Sequence, residues 1–146
     1  MTPAEVRRPR DDAELAQALA LREEVFVGEQ QVPLEADLDG LDDEAIQIVA
    51  LADGGTVVGT CRLLVGDDGV ARFGRLCVRS SARGHGVAAA LLAEAEREAR
   101  AAGAGWIAMH AQTNAIVLYL RAGYVTAGEP FDEEGIEHVK MEKRIA

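Results

Sequence analysis

Apolar positions recur along the chain with two periods, close to four in some stretches and two in others, and turn residues mark the changes between them. A capping box, Asp11 with Glu14 three residues on, opens a helix that presents Leu15, Leu19 and Phe26 at roughly helical spacing up to Gly28. Residues 30–44 carry Pro33, Gly40 and six carboxylates without a sustained period, which predicts a loop with at most one short helical turn. Loops of this length are often functional. Three strand-like runs follow, 45–51, 56–65 and 70–78, separated by Asp53-Gly54-Gly55 and Asp67-Asp68-Gly69, and together they predict an antiparallel meander.

The pattern then changes to a helix over 86–102, with Val87, Leu91, Ala95 and Ala99 on one face and Gly103 as its C-terminal cap. A buried strand over 106–111 and a helix over 114–122, stopped by Gly123, come next. Residues 124–127 and 136–145 read as a closing hairpin joined by the loop PFDEEG. This order predicts the α+β class, one central mixed but mostly antiparallel sheet flanked by helices.

Length and composition narrow the field. The 146 residues suit a single domain over 1–146, and 49% hydrophobic with 27% charged residues is an ordinary globular composition. A formal net charge of −10 argues against nucleic acid and against anionic membranes as partners. No stretch has signal-peptide character or the length of a membrane span, so the expected location is the cytoplasm. With Cys61 placed opposite Gly74 in paired strands, Cys61 and Cys77 do not face each other and no disulfide is expected.

The chemistry concentrates where the strand RFGRLCV runs through the polar turn RSSARGHG into the long helix. Gly84 and Gly86 let a diphosphate approach the backbone, and the open N–H groups of the helix start favour negative charge. A Walker loop is excluded because Val87 and Ala88, not Lys and Ser or Thr, follow Gly86. A Rossmann fingerprint is excluded because position 89 is Ala and antiparallel hairpins precede the turn. Arg83-Gly84-His85-Gly86-Val87-Ala88 instead resembles the acetyl-CoA signature of the GNAT superfamily of N-acetyltransferases. The run from Asn114 through Leu118-Tyr119 to Gly123-Tyr124 resembles that family's later motif. Val25-Phe26-Val27-Gly28-Glu29-Gln30-Gln31-Val32-Pro33 and Phe131-Asp132-Glu133-Glu134-Gly135-Ile136-Glu137-His138 are similar to the ElaA-like subgroup, with Gln47 standing where a His is usual there.

The resemblance implies transfer of an acetyl group from acetyl-CoA, a co-substrate, to an amine in a ternary complex. The strands at 72–78 and 106–111 would splay around the pantetheine arm, and the backbone of Leu76, Cys77 and Val78 would bond it. N–H groups from His85 through Gly86 and Val87 to Ala88 would hold the diphosphate beside Gly84, with Arg83 adding charge. Asn114 would touch the pantetheine, or simply cap the following helix. The Val78 N–H would stabilise the oxyanion, and Tyr119 would protonate the departing thiolate unless it is only a core aromatic beside Tyr124. His110, His138 and Glu29 are the candidates for the base, with a water chain as the alternative. No metal is required, since the histidines and cysteines show no ligand spacing. Cys77, inside a strand without a partnered base, is a poor nucleophile. A non-catalytic acyl-CoA-binding module is the competing function. The acceptor has no decodable pattern, and a homodimer stays open.

Overall fold

A computed structural model describes residue 3 and residues 5–146. The expected absence of a leader rests partly on Met1, Thr2 and Ala4, which lie outside the described residues. The strands are β1 (Glu5–Arg7), β2 (Ile46–Leu51), β3 (Val57–Val65), β4 (Val70–Val78), β5 (Trp106–Gln112), β6 (Val125–Thr126), β7 (Phe131–Glu133) and β8 (Ile136–Arg144). The helices are α1 (Asp12–Arg22), α2 (Leu34–Asp37), α3 (Val87–Ala101) and α4 (Ile116–Arg121). The strands form one sheet in the order β1-β2-β3-β4-β5-β8-β6, with β7 also on β8, and among the described residues only β4 and β5 run parallel.

The sheet is apolar on both faces. Ile48 and Ala50 of β2 point to the side covered by α3 and α4, while Val49 and Leu51 join Ala18, Leu21 and Val25 under α1, as strand alternation requires. Gly59 on β3 sits under the start of α3: a Cβ there would come within 2.8 Å of the Val87 side chain and 3.0 Å of Leu91. Its missing side chain lets α3 lie directly on the sheet.

Four features differ from the pattern-based expectation. The first helix is α-helical only to Arg22; Glu23–Glu29 winds as a π-helix, with the Gln30 N–H donating to the Val25 carbonyl. The contiguous apolar run Val25-Phe26-Val27 has no period that would betray the wider winding. At the β3–β4 turn a third loop residue, Gly69 at φ +79°, shifts the register so that Arg62, not Cys61, pairs with Gly74. Cys61 falls at an irregularity opposite Arg75 and Leu76, and both cysteines are free and buried. Finally, part of PFDEEG is strand: β7 turns back onto β8 through Glu134 and Gly135 at φ +54° and +76°, a two-residue turn whose hand matches strand twist. β1 was not legible in the pattern at all.

The acidic segment 30–44 holds one helical turn, α2, and is pinned by charge. Arg22 pairs with Asp37 at 3.3 Å and Asp42 at 2.6 Å, Arg62 pairs with Asp39 and Asp42, and Arg75 reaches Asp37 and Asp39. Gln47, where the subgroup usually carries His, donates to the Asp42 carboxylate at 3.0 Å.

Candidate functional site

The central feature is a gap in the sheet. β4 and β5 pair only at Val70–Trp106, Ala71–Ile107 and Arg72–Ala108, and then diverge. A bulge with Arg75 at φ +55° sits where they part, held by Arg75 donating to the carbonyls of Ala36 and Asp37. The bulge reverses the facing of β4: Phe73 belongs to the core under α3, whereas Cys77 belongs to the core under α1. It also sets which backbone groups face the gap. The Arg79 N–H donates to Val58 of β3, so by alternation Cys77 also faces β3 while Leu76 and Val78 turn their N–H and C=O into the gap. Of the three residues expected to bond the pantetheine, Cys77 is thus turned away.

A cleft of about 1550 Å³ opens on the gap. It is lined by Leu76, Cys77, Val78, Arg83, Gly84, Gly86, Val87, Ala88, Asn114 and Tyr119, and also by Glu29, His110 and His138. Of the candidates, only His85 is outside the lining, exposed at the tip of the turn.

At one end the turn forms a cradle of main-chain donors. Gly84 and Gly86 have φ of +80° and +82°, and a Cβ at either would meet nothing within 4 Å, so the approach is open and the conformation favours glycine. The first α3 bond is Ala90 N–H to Gly86 C=O, which leaves the preceding N–H groups of this turn without helical acceptors. Arg83 donates from Nε to the Val78 carbonyl at 2.9 Å and pairs with Glu29 at 2.8 Å, both side chains remaining exposed. Asn114 lies in a 3-10 turn, Thr113–Ala115, exposed to the cleft and capping neither that turn nor α4.

The two tyrosines are in opposite situations. Tyr124 donates to Glu96 at 3.0 Å in a buried network that includes Lys143. Tyr119, on the same core face and edge-on to Phe73 and Tyr124, makes no hydrogen bond through its hydroxyl among the described residues. Burial, with a smaller contribution from Cys61, raises its pKa, so it stays a protonated donor. Burial pushes the Cys77 thiol up to about 12, leaving it protonated and unreactive near neutrality.

Alternation along β5 puts Ile107, Met109 and Ala111 on the Tyr119 side and His110 and Gln112 on the opposite face. There His110 Nδ1 lies 3.0 Å from Glu133, and His138, buried, holds the Ile136 carbonyl at 2.7 Å through Nδ1. Gln112 donates to Gln30 at 2.9 Å, tying β5 to the end of the π-helix. Chain pattern alone missed Gly59, Arg75 and Glu133; a glycine within a strand run and a Glu-Gly pair before β-branched Ile136 were the available signals.

Comparison with known proteins matches this arrangement to one group. The model of the acetyltransferase (GNAT) domain matches residues 11–145. The uncharacterized N-acetyltransferase YjcF of Bacillus subtilis is 37% identical over 135 residues, 92% of this chain and 95% of its own length. An acyl-CoA N-acyltransferase structure from Pseudomonas aeruginosa is 30% identical with a TM-score of 0.81, covering 95% of this chain and 97% of that one. Escherichia coli ElaA, at 24% identity, shares the fold with a TM-score of 0.83 over 96% of this chain and 97% of its own.

Proposed function

The chain belongs to the GNAT acetyltransferase family, and from that premise we propose that it moves an acetyl group from acetyl-CoA to an amine, with both substrates bound together. The observation that carries this reading is the gap between β4 and β5, with the Val78 backbone turned into it and an open main-chain cradle beside it. A diphosphate suits that cradle because the donors are already aligned and no side chain fills the approach. Acetyl-CoA, when bound, supplies the activated thioester carbonyl.

The chain's own residues have these roles. N–H groups from His85 to Ala88, with Gly84 and Arg83, hold the diphosphate. Leu76 and Val78 offer strand-like bonds to the arm, Asn114 contacts it from α4's side, and the Val78 N–H stabilises the oxyanion. Tyr119 holds a proton for the sulfur. The acceptor enters from the opposite face, between Gln30, Gln112 and the β7–β8 hairpin. We assign the whole of 1–146 to one such domain and the protein to the cytoplasm; among the described residues no helix is long and apolar enough to cross a membrane.

The test is a panel of amines incubated with acetyl-CoA, following free thiol and acetylated product. Thiol release that requires both substrates supports the reading. Coenzyme binding without turnover on any amine, peptide N-terminus or lysine would favour a binding module instead.

A further inference from the structure

Glu133 is not used by the function described above, yet it sits between two imidazoles in the cleft. Its Oε1 is 3.0 Å from His110 Nδ1 and its Oε2 is 3.6 Å from His138 Nε2. We propose that Glu133 is a positioning residue that fixes His110 as the base for the acceptor amine, an inference that rests on the acetyl-transfer reading.

The tautomers follow from the partners. A carbonyl only accepts, so His138 Nδ1 carries the hydrogen that it gives to Ile136, and its Nε2 has the lone pair when the ring is neutral. An ionised carboxylate also only accepts, so His110 Nδ1–H donates to Glu133 and the His110 lone pair is left on Nε2. The two rings differ in access. His138 is 7% exposed and stacked on Phe131, whereas the His110 side chain is 54% exposed and lines the cleft with only an edge contact to Phe131. His110 is therefore the ring that an acceptor can reach, on the face opposite Tyr119.

Glu133 is itself fixed. It ends β7, pairs with Ile136 and precedes the two left-handed residues Glu134 and Gly135, so the tight turn sets where its carboxylate points. A carboxylate behind Nδ1 both orients the ring and compensates the charge when Nε2 gains a proton. An ammonium acceptor gives one proton to His110 Nε2, which passes it to solvent. The freed nitrogen lone pair adds to the thioester carbonyl, whose oxygen takes up the negative charge at the Val78 N–H. As the C–S bond then breaks, the sulfur takes the Tyr119 proton. The second N–H proton leaves nitrogen through His110 Nε2 to solvent, and Tyr119 regains its proton from solvent.

Glu133→Gln separates positioning from packing. A glutamine can accept from Nδ1–H or donate to Nδ1, so it no longer selects a tautomer. Imidazole nitrogen NMR of the full chain under alkaline conditions should show His110 protonated at Nδ1 in the wild type and as a tautomer mixture in Glu133→Gln. With an acceptor from the amine panel, kcat should fall roughly 10- to 100-fold in that variant while KM for acetyl-CoA stays unchanged. Glu133→Asp should recover part of the loss, and His110→Gln should lose at least as much as Glu133→Gln. An Nε2-protonated His110 in the wild type, or full kcat in a folded Glu133→Gln, overturns the proposal. If the wild type itself releases no thiol with any amine, the transferase reading falls as well, and the two failures are thereby told apart.

Discussion

Replacing Tyr119 with Phe should separate catalysis from folding. The hydroxyl makes no hydrogen bond among the described residues, while the ring keeps its edge contacts with Phe73 at 6.3 Å and Tyr124 at 6.1 Å. Losing the oxygen therefore deletes no protein partner, and the stability change should stay within about 0.5 kcal/mol, under roughly 2 °C in Tm for a chain of this size. Turnover should respond differently. Loss of a positioned acid typically removes on the order of 10²-fold, or ~2.7 kcal/mol of barrier, and a thiolate is a fair leaving group, so residual activity should persist. Because burial raises the Tyr119 pKa, the wild-type acid stays protonated above its ordinary value near 10, and its loss should add no falling limb below that pH. Tyr124→Phe is the counterpart: its hydroxyl serves the buried Glu96, so stability should drop by about 1–3 kcal/mol with kcat retained. Thermal melts, coenzyme calorimetry and single-turnover thiol release on both variants give the answer. Unchanged turnover in Tyr119→Phe would refute the acid role.

Other perturbations test the frame around the site. Gly59→Ala drives a methyl against Val87 and Leu91 and should cost about 1–3 kcal/mol by denaturant titration, with weaker coenzyme binding as the start of α3 moves. Arg22→Ala removes the buried guanidinium shared by Asp37 and Asp42, leaving Asp37 only its contact with Arg75, and should cost about 3 kcal/mol in the same titration. Hydrogen bonding from Arg62 depresses the Asp39 pKa; at Asp42 burial pushes upward but bonds from Arg22 and Gln47 outweigh it. Groups depressed on folding stabilise above their unfolded pKa and lose that contribution as pH falls through the folded value, so hydrogen-exchange protection factors across 34–44, corrected for the intrinsic pH dependence of exchange, should hold at about pH 5 and fall below about pH 4.

Much of this was legible from residues. The turn from Arg83 to Ala88 and the helix behind it could be read because Gly84, Gly86 and a four-residue apolar spacing act locally: the expected 86–102 is Val87–Ala101 in the structure. What escaped depends on partners distant in sequence or on small changes in winding. The β3–β4 register turned on one extra loop residue, and the flip of Cys77 away from the gap on a bulge fixed by Arg75 reaching α2. Glu133 looked like one of several loop carboxylates until Glu134-Gly135 closed the hairpin and brought it to His110. Arg22, Arg62 and Arg75 each read as an unremarkable charge, because their aspartates lie 15 or more residues away.

The main-chain cradle at the start of α3 carries the whole account, and coenzyme A titrated calorimetrically into the wild type and into Gly86→Glu tests it most directly. The substitution puts a carboxylate where the phosphates would lie and adds roughly 1–2 kcal/mol of left-handed backbone strain, which a melt measured in parallel would register separately. Saturable one-to-one binding to the wild type and its loss in the folded variant are expected. Absence of binding to the wild type, or equal affinity in both proteins, would contradict it.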